Sequence, residues 1–316
     1  MNFKALKQND FIDIISIGTA CNQDEIKKIK KLVEGFGLKP QIFLEKATTS
    51  TKAVSHEFPS FKAETRFAQL KKAAENPESQ IIWNTRGGYG SADILPFLKK
   101  LPKPKQPKIF IGFSDVVSVA TLLQQEWGWK IICAPMLVQL ALNKVSKKSE
   151  KAILDLLFGK ISKLEYRLKI LNSVASVKSI KSVTTGGCIS VLAGNFGTKN
   201  QLDWHNKILF LEDEGEDGER LERYFNQIVT IMVEQKKLPK AILLGNFLEA
   251  NPHGTPKGKN IAMAIEKFVQ KIAGSKLKIP VYAEKSGVLG HSKNMMPLVL
   301  GCETVISDGI LTQKVY

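Results

Sequence analysis

The sequence predicts an α/β protein whose first half forms a parallel β-sheet with helices on both faces. Short β-rich runs and amphipathic helical segments alternate through this half, which is the pattern that a parallel sheet requires. The chain has 316 residues, which is more than one domain with a single core usually contains, so two domains of about 150 residues each are expected. Hydrophobic residues make up 43% of the chain, so both domains can form buried cores.

The first half opens with a strand over 11–17 that ends at the turn Gly18-Thr19-Ala20. A periodic helix over 24–36 follows, and Gly37 is expected to end it as a left-handed cap. The other strands of this half are predicted over 40–44, 80–84 and 108–112, and the other helices over 64–74, 94–100 and 115–126. We therefore assign residues 1–150 to an N-terminal α/β domain.

The second half is predicted to form a C-terminal domain over 181–316. A linker over 151–180, where the sequence is lysine-rich and then polar and irregular, is expected to join the two domains. The clearest segments of the second domain are strands over 207–211, 240–245 and 279–283 and helices over 219–235 and 261–273. An acidic cluster, 212–217, directly follows the first of these strands.

The composition disfavours several classes of protein. The net charge of +16 comes mainly from dispersed lysines, and arginine is not interleaved with aromatic residues, so we expect solvated surfaces rather than a nucleic-acid-binding protein. No apolar run reaches the roughly 20 residues that a membrane span needs. The N-terminus has neither the apolar segment nor the cleavage site of a secretory signal, so the cytoplasm is the expected location.

The cysteines and histidines indicate no metal site and no bound cofactor. The cysteines are far apart and form no C-x-x-C pair, so they are expected to be small core side chains. They are Cys21, Cys133, Cys188 and Cys302. The histidines are scattered as well, without metal-ligand spacing. They are His56, His205, His253 and His291.

Three glycine-bearing turns follow strand-like runs in the first half. They are Gly18 to Ala20, Arg86 to Gly90 and Gly112 to Asp115. In open parallel sheets, ligands bind beyond the carboxyl ends of the strands. We therefore expect the three turns to meet at one edge of the sheet.

Ser114 is the candidate nucleophile. It lies between a buried strand and a helix, where a serine hydroxyl is exposed and the amides of the helix N-terminus lie beside it. The alternative is that Ser114 caps the helix, because serine is a preferred N-cap residue. The segment also lacks the second glycine of the G-x-S-x-G motif. The glycines of 86–90 either bring amides close to an oxyanion or form an ordinary turn. A phosphate-binding loop is disfavoured, because the segment matches neither G-x-x-x-x-G-K-[ST] nor G-x-G-x-x-G.

A nucleophilic serine needs a general base, and the base needs an orienting carboxylate. His291 follows a glycine in a loop after a strand and is the best placed base, with His205 and His253 as alternatives. Glu212 ends an apolar strand, so its position is expected to be rigid. The acidic residues further into the loop are expected to face water or to stabilise the next helix start. These are Asp213, Glu214 and Glu216.

Taken together, these segments resemble the LD-carboxypeptidase family of serine peptidases, the muramoyl-tetrapeptide carboxypeptidases, with the microcin-immunity peptidases as close relatives. The matching segments run in order along the chain. They are Ile14 to Ala20, Arg86 to Ser91, Gly112 to Asp115, Gly186-Gly187, Leu209 to Asp213 with Arg220 and Arg223, and Gly290-His291 with Pro297-Leu298 and Gly301. The resemblance implies Ser114 as nucleophile, His291 as general base, Glu212 as orienting acid, and the amides of Gly88 and Asp115 as the oxyanion hole.

The same resemblance implies a flavodoxin-like or glutamine-amidotransferase-like N-terminal domain with a parallel sheet, and a β-rich C-terminal domain. Members of the family cleave the bond between an L-centre of a diamino acid and the terminal D-alanine of murein tetrapeptide, in cytoplasmic cell-wall recycling, and are usually homodimers. The expected partner is therefore a small muropeptide substrate, with no metal, nucleic acid or membrane. Arg86 is a candidate for binding the substrate carboxylate, or else it holds its turn together.

Several positions depart from the family pattern. Asp93 stands near where an arginine is usual, Cys188 replaces a common asparagine, and Glu219 replaces a common aromatic residue. The segment 292–296 lacks the aspartate or proline and the threonine that often follow the histidine. These changes keep the triad and leave the substrate open. The alternatives are a microcin-immunity-like peptidase acting on a peptide–nucleotide or acyl-sulfamoyl substrate, and a nonenzymatic binder of anionic ligands or nucleic acid.

Overall fold

The chain forms two compact units. The computed structural model describes residues 4–44, 60–172, 174, 179–248, 259–275 and 277–316. The first unit comprises Met1–Ser162, Met296–Leu298 and Tyr316, and the second comprises Lys163–Met295 and Val299–Val315. Across the described residues, no helix combines the length and the apolar character that crossing a membrane requires.

Strands and helices alternate in the first unit, and strands predominate in the second. The strands are β1 (Phe11–Ile15), β2 (Lys39–Ile42), β3 (Ser79–Asn84), β4 (Ile109–Ile111), β5 (Lys130–Cys133), β6 (Lys163–Ile170), β7 (Ser179–Cys188), β8 (Ile208–Glu214), β9 (Ala241–Leu248), β10 (Val281–Glu284), β11 (Leu298–Leu300), β12 (Glu303–Ser307) and β13 (Ile310–Lys314). The helices are α1 (Gln23–Gly35), α2 (Ala63–Glu75), α3 (Leu95–Leu98), α4 (Val117–Gln125), α5 (Leu137–Ala141), α6 (Lys147–Leu157), α7 (Ile189–Ala193), α8 (Gly218–Gln235) and α9 (Lys259–Gly274).

The strands of the first unit lie side by side in the order β5-β4-β3-β1-β2. The pairs β1–β2, β1–β3, β3–β4 and β4–β5 are all parallel. The resulting order 2-1-3-4-5 is that of the flavodoxin-like doubly wound fold. All three residues of the short strand β4 are buried, as expected for a parallel strand covered on both faces. The predicted parallel α/β fold of the N-terminal half is therefore confirmed.

Helix α1 illustrates how local sequence sets an element of this unit. The Asn22 side chain accepts a hydrogen bond from the Glu25 amide at 2.9 Å, and the Glu25 carboxylate accepts one from the Asn22 amide at 3.0 Å. This reciprocal arrangement is a capping box, which satisfies two amides at the helix start. Gly37 follows the helix with a φ of 78°, so its prediction as a left-handed residue is confirmed.

The second unit contains a closed barrel with the strand order β10-β6-β13-β12-β7-β8-β9. Strands β7, β8, β9 and β10 run parallel to one another in that order, and the pairs that involve β6, β12 and β13 with their neighbours are antiparallel. Helices α8 and α9 pack together, and the rings of Phe225 and Phe268 stack with their centroids 4.3 Å apart. The β-rich second domain that the family resemblance implies is confirmed.

The boundary between the units differs from the one predicted. It falls between Ser162 and Lys163, so the predicted linker 151–180 contains the end of α6, all of β6 and the start of β7. Strand β6 alternates exposed and buried residues along most of its length. This period of two is typical of a strand with one face in a core, and the lysines of the segment occupy its outer face. The N-terminal unit accordingly extends past residue 150, and the C-terminal one begins before residue 181.

Candidate active site

Ser114 has a strained backbone. Its φ of 64° is left-handed, which is uncommon for a residue with a side chain. Ser114 begins a short 3₁₀ turn, Ser114–Val116, between β4 and α4. The N-cap positions of the turn and of α4 are Phe113 and Val116, so Ser114 does not occupy the capping position. A strained serine between a strand and a helix has the backbone geometry of a nucleophile elbow.

The three predicted glycine turns meet at one edge of the sheet in the first unit. The Thr19 amide donates to the Gly87 carbonyl at 2.9 Å, which joins the first turn to the second. A Cβ added to Gly87 would lie 2.9 Å from the Ser114 Cβ and 3.4 Å from the Asp115 nitrogen. Only glycine therefore allows the second turn to approach Ser114 this closely. The prediction that the turns converge is confirmed.

The predicted oxyanion-hole residues lie in this cluster. Gly88 directly follows Gly87 and has a φ of 94°, and a side chain there would collide with Thr19. Asp115 directly follows Ser114. The Thr19 hydroxyl also accepts a hydrogen bond from the Tyr89 amide at 3.2 Å, which fixes the turn Arg86 to Gly90, the Gly-rich turn. Two backbone segments therefore lie near the hydroxyl of Ser114, and both can present amides to it.

The Asp115 side chain has a separate role that the sequence did not reveal. Its carboxylate accepts hydrogen bonds from the Gly90 amide at 3.1 Å and the Ser91 amide at 3.0 Å. Burial raises the pKa of Asp115, and the hydrogen bonds from Ser91 and Gly90 act in the opposite direction. The carboxylate therefore ties the residue after Ser114 to the Gly-rich turn.

Arg66 of α2 holds the same turn from its other side. Its buried guanidinium donates to the Phe61 carbonyl at 2.7 Å, to the Ile17 carbonyl at 3.3 Å and to the Gly90 carbonyl. It also pairs with Asp93 at 2.8 Å. Asp93, which departs from the family pattern, is therefore the partner of a buried arginine. Sequence reasoning missed Arg66 because a single arginine in an amphipathic helix carries no distinguishing signal.

Arg86 pairs with the Glu25 carboxylate of α1, and its side chain is 26% exposed. This ion pair connects the start of the Gly-rich turn to the first helix. Two roles are predicted for Arg86, binding the substrate carboxylate or holding its turn in place. The ion pair with Glu25 is the contact expected from the second role.

Glu212 and His291 form a hydrogen-bonded pair in the second unit. The Glu212 Oε2 lies 2.6 Å from the His291 Nδ1 and also accepts the His291 backbone amide at 2.9 Å. Glu212 lies near the end of the buried strand β8, beside Cys188 of β7. One carboxylate oxygen therefore fixes both the backbone and the ring of His291.

Gly290 makes this close approach possible. Its φ is 89°, and a Cβ added there would lie 2.7 Å from both the Cβ and the Oε2 of Glu212. The Asn246 side chain donates to the carbonyls of Gly287 at 2.7 Å and His291 at 3.0 Å, which fixes the loop on both sides. Asn246 is a further residue that sequence analysis did not single out.

The imidazole of His291 is nearly buried among acidic groups. Burial lowers the pKa of His291, but the charge and the hydrogen bond of Glu212, followed by the charges of Glu214 and Asp213, more than offset this effect. The pKa of His291 is therefore raised above its ordinary value of 6.5. A histidine held in this way accepts a proton readily, as a general base must.

Of the other acidic residues of the cluster, Glu214 and Glu216 fit the prediction and Asp213 does not: Glu214 is exposed, and Glu216 lies 3.5 Å from Arg220 at the start of α8. Asp213 is buried rather than solvated, and its carboxylate accepts hydrogen bonds from the Ser190 amide at 2.8 Å and the Cys188 thiol at 3.3 Å. Glu214 also lies 3.6 Å from the Nε2 of His291. The start of α8 is capped by Asp217, whose side chain accepts the Arg220 amide at 2.8 Å.

The described residues include one of the two alternative bases, His205, and all four cysteines. His205 is exposed at a turn, and both His56 and His253 lie outside the described residues. The four cysteines are buried. Within the described ranges, no group of three or more histidine, cysteine, aspartate or glutamate side chains is arranged to hold a metal ion.

The chain is similar in sequence to proteins named as carboxypeptidases. A Rickettsia prowazekii protein named as a carboxypeptidase is 31% identical over 245 residues, which are 77% of this chain and 72% of the relative. The murein tetrapeptide carboxypeptidase of Pseudomonas aeruginosa is 29% identical over 226 residues, 69% of this chain and 70% of that protein.

Solved structures share the fold. The muramoyltetrapeptide carboxypeptidase from Oxalobacter formigenes matches with a TM-score of 0.75 and 23% identity, covering 96% of this chain and 97% of that one. An MccF-like protein from Bacillus anthracis matches with a TM-score of 0.79 and 19% identity over the whole of both chains.

Family models account for most of the sequence. The LD-carboxypeptidase N-terminal domain matches residues 12–134, which include Ser114 and the Gly-rich turn. The LD-carboxypeptidase C-terminal domain matches residues 181–306, which include Glu212 and His291. Since the two matches together span more than half of the chain, the protein belongs to the LD-carboxypeptidase family.

Proposed function

We propose that this carboxypeptidase removes the terminal D-alanine of murein tetrapeptide, cleaving its bond to the L-centre of the diamino acid, with Ser114, His291 and Glu212 as a catalytic triad. The observation that carries the proposal is the double hydrogen bond from His291 to Glu212. A carboxylate that accepts the Nδ1 proton orients the imidazole and leaves Nε2 as the proton acceptor, which is the arrangement a serine nucleophile requires. The murein-directed relatives support the choice of substrate.

The first half of the reaction forms an acyl-enzyme. The Ser114 Oγ attacks the scissile carbonyl carbon while the His291 Nε2 takes the hydroxyl proton. The amides of Gly88 and Asp115 stabilise the tetrahedral oxyanion, and losing one such donor costs about 10²- to 10³-fold in kcat. The intermediate collapses as the carbon–nitrogen bond breaks, and the imidazolium gives its proton to the departing D-alanine amine.

The second half regenerates the enzyme. Water attacks the acyl carbon while His291 takes a proton from it, and the ester bond to Ser114 breaks as the imidazolium returns that proton to the serine oxygen. The products are D-alanine and the shortened muropeptide. This sequence of steps uses no metal or cofactor. Because Arg86 pairs with Glu25, we assign Arg86 to holding the turn rather than to binding the substrate carboxylate.

The expected setting follows from the substrate. Tetrapeptides released from the cell wall are processed in the cytoplasm during peptidoglycan recycling, so we propose that location and that role. We also propose a homodimer, as is usual in the family. Analytical ultracentrifugation of the purified protein measures the assembly directly, and a monomer at micromolar concentration would rule the dimer out.

The decisive experiment is to incubate the protein with murein tetrapeptide and to follow the loss of one D-alanine by mass spectrometry. We expect turnover by the wild type, none by Ser114→Ala, and unchanged turnover by Ser118→Ala, a nearby serine in α4. Labelling of the wild type by a fluorophosphonate should disappear in both Ser114→Ala and His291→Gln, because the serine must be activated by the base. Wild-type kinetics in Ser114→Ala would refute the assignment of the nucleophile.

An assay with a second substrate distinguishes the two branches of the family. The neighbouring structures include the self-immunity protein MccF in complex with aspartyl sulfamoyl adenosine. Hydrolysis of that compound, with the murein tetrapeptide left intact, would replace the murein assignment by a microcin-immunity-like one. Loss of D-alanine, with the sulfamoyl compound left intact, is the result we expect.

A further inference from the structure

Two carboxylates of strand β8 face the two ring nitrogens of His291. The Glu212 Oε2 lies 2.6 Å from Nδ1, and the Glu214 Oε2 lies 3.6 Å from Nε2. Residues two apart on a strand point to the same face, which is why both side chains reach one imidazole. Asp213 lies between them in the sequence, and its carboxylate accepts hydrogen bonds from the Ser190 amide and the Cys188 thiol.

The two contacts differ in what they do to the protons of the ring. Neutral His291 that donates its Nδ1 proton to Glu212 has no proton on Nε2, so Glu214 gains no hydrogen bond from it. Once Nε2 takes a proton, the ring becomes positively charged, and the Glu214 carboxylate at 3.6 Å attracts it. The contact with Glu214 therefore favours the charged ring over the neutral ring.

We propose that Glu214 is a positioning residue that acts through His291, and that its carboxylate stabilises the positive charge that the imidazole acquires when Nε2 takes a proton. The inference rests on the proposed function, in which Nε2 removes the proton of Ser114. Glu214 then supports the charge that develops at the tetrahedral step. It also keeps the base protonated, and hence inactive, up to a higher pH than Glu212 alone does.

Among the described residues, Glu212, Glu214 and Asp213 favour the charged form of this imidazole. All three belong to β8. Glu212 and Asp213 are buried, whereas the side chain of Glu214 is 56% exposed. Replacing Glu214 by glutamine therefore removes one charge without leaving a buried group unpaired or a gap in the core.

The first test measures the imidazole itself. The ring signals of His291, assigned by their loss in His291→Gln, are titrated by NMR in the wild type, in Glu214→Gln and in Glu219→Gln. Glu219 is a matched control, since it is 85% exposed at the start of α8 and pairs with Arg223 at 3.8 Å. We expect the pKa of His291 to fall in Glu214→Gln and to stay unchanged in Glu219→Gln. Identical titration in the wild type and Glu214→Gln would overturn the proposal.

The second test follows kcat/KM for murein tetrapeptide against pH. In Glu214→Gln the acid limb should move to lower pH, and the plateau should fall by roughly two- to fivefold, the range expected for a partly exposed charge pair. A change confined to KM, with the His291 titration unaltered, would assign Glu214 to substrate binding and reject the proposal. If the wild type does not cleave the tetrapeptide, the proposed function fails, and the NMR titration still decides the role of Glu214.

Discussion

Gly290 is the residue on which the Glu212–His291 pair depends most directly. Its left-handed backbone and the 2.7 Å separation between an added Cβ and Glu212 leave no room for a side chain. We predict that Gly290→Ala displaces the Glu212 carboxylate or His291 and lowers kcat by about 100-fold, because misplacing a catalytic group by about 1 Å costs this much. Steady-state kinetics on murein tetrapeptide measure the loss.

Gly197 provides the matched control for this substitution. It has a similar φ of 76°, but an added Cβ there would meet nothing within 4 Å. Both alanine variants incur the backbone cost of a left-handed residue, about 1–2 kcal/mol, and Gly290→Ala also incurs the collision with Glu212, so its melting temperature should fall further. Equal kinetic losses in the two variants would mean that the backbone, and not the contact with Glu212, explains the effect.

Individual residues differ in how far the sequence predicts their surroundings. Glu212 ends an apolar strand and His291 follows a glycine, and these local signals suffice to single out both residues. The contact of Glu214 with His291 has no local signal, because it depends on how strand β8 and a loop nearly 80 residues later approach each other. The burial of Asp213, which is predicted to face water or to stabilise the next helix start, has no local signal for the same reason: its partners, Ser190 and Cys188, lie at a different strand–helix junction.

At the scale of elements, the parallel sheet was predictable because most of its strands contain a short buried apolar run and alternate with amphipathic helices. The meeting of the three glycine turns followed from the rule that carboxyl ends of parallel strands share one edge. Strand β6 was missed because lysines on its outer face obscured an alternation of buried and exposed residues. Closure of the barrel was not predictable either, since it depends on pairing between strands far apart in the sequence.

The Arg66 contacts are the element-scale feature that we expect to matter most for activity. The guanidinium of this buried residue joins α2 to Gly90 of the Gly-rich turn and to Asp93 just after the turn. Lysine has a single ammonium and cannot reach all of these acceptors. We predict that Arg66→Lys lowers the free energy of unfolding by about 2–3 kcal/mol and lowers kcat more than it changes KM, because the turn beside Ser114 loses its support.

Urea unfolding and steady-state kinetics measure the two effects, with Arg223→Lys as the control. Arg223 is 72% exposed and pairs with Glu219 at 3.8 Å, so its replacement should change the free energy of unfolding by less than about 0.5 kcal/mol. An Arg66→Lys variant as stable and as active as the wild type would show that the guanidinium contacts are dispensable.

For the whole molecule, the raised pKa of His291 makes a contribution to the free energy of unfolding that decreases as the pH rises, while catalytic activity increases. In the unfolded chain the imidazole has its ordinary pKa of 6.5, whereas in the folded protein the acidic groups around it raise the pKa. The folded state therefore binds the proton more tightly. The resulting contribution to stability is fully present below pH 6.5 and is lost as the pH rises through the folded pKa. The base, however, is active only when neutral, so kcat/KM should rise over that same range.

A comparison of the wild type with His291→Gln isolates this contribution, because other groups with shifted pKa values, such as Asp13, Lys108 and Asp115, are present in both proteins. We predict that the difference in free energy of unfolding, wild type minus variant, is largest near pH 6 and shrinks toward pH 9, while wild-type kcat/KM increases. Urea midpoints and initial rates at matched pH values measure both quantities. A difference that stays constant or grows with pH would mean that the acidic groups of β8 do not favour the charged ring. In that case both the raised pKa and the role assigned to Glu214 would have to be abandoned.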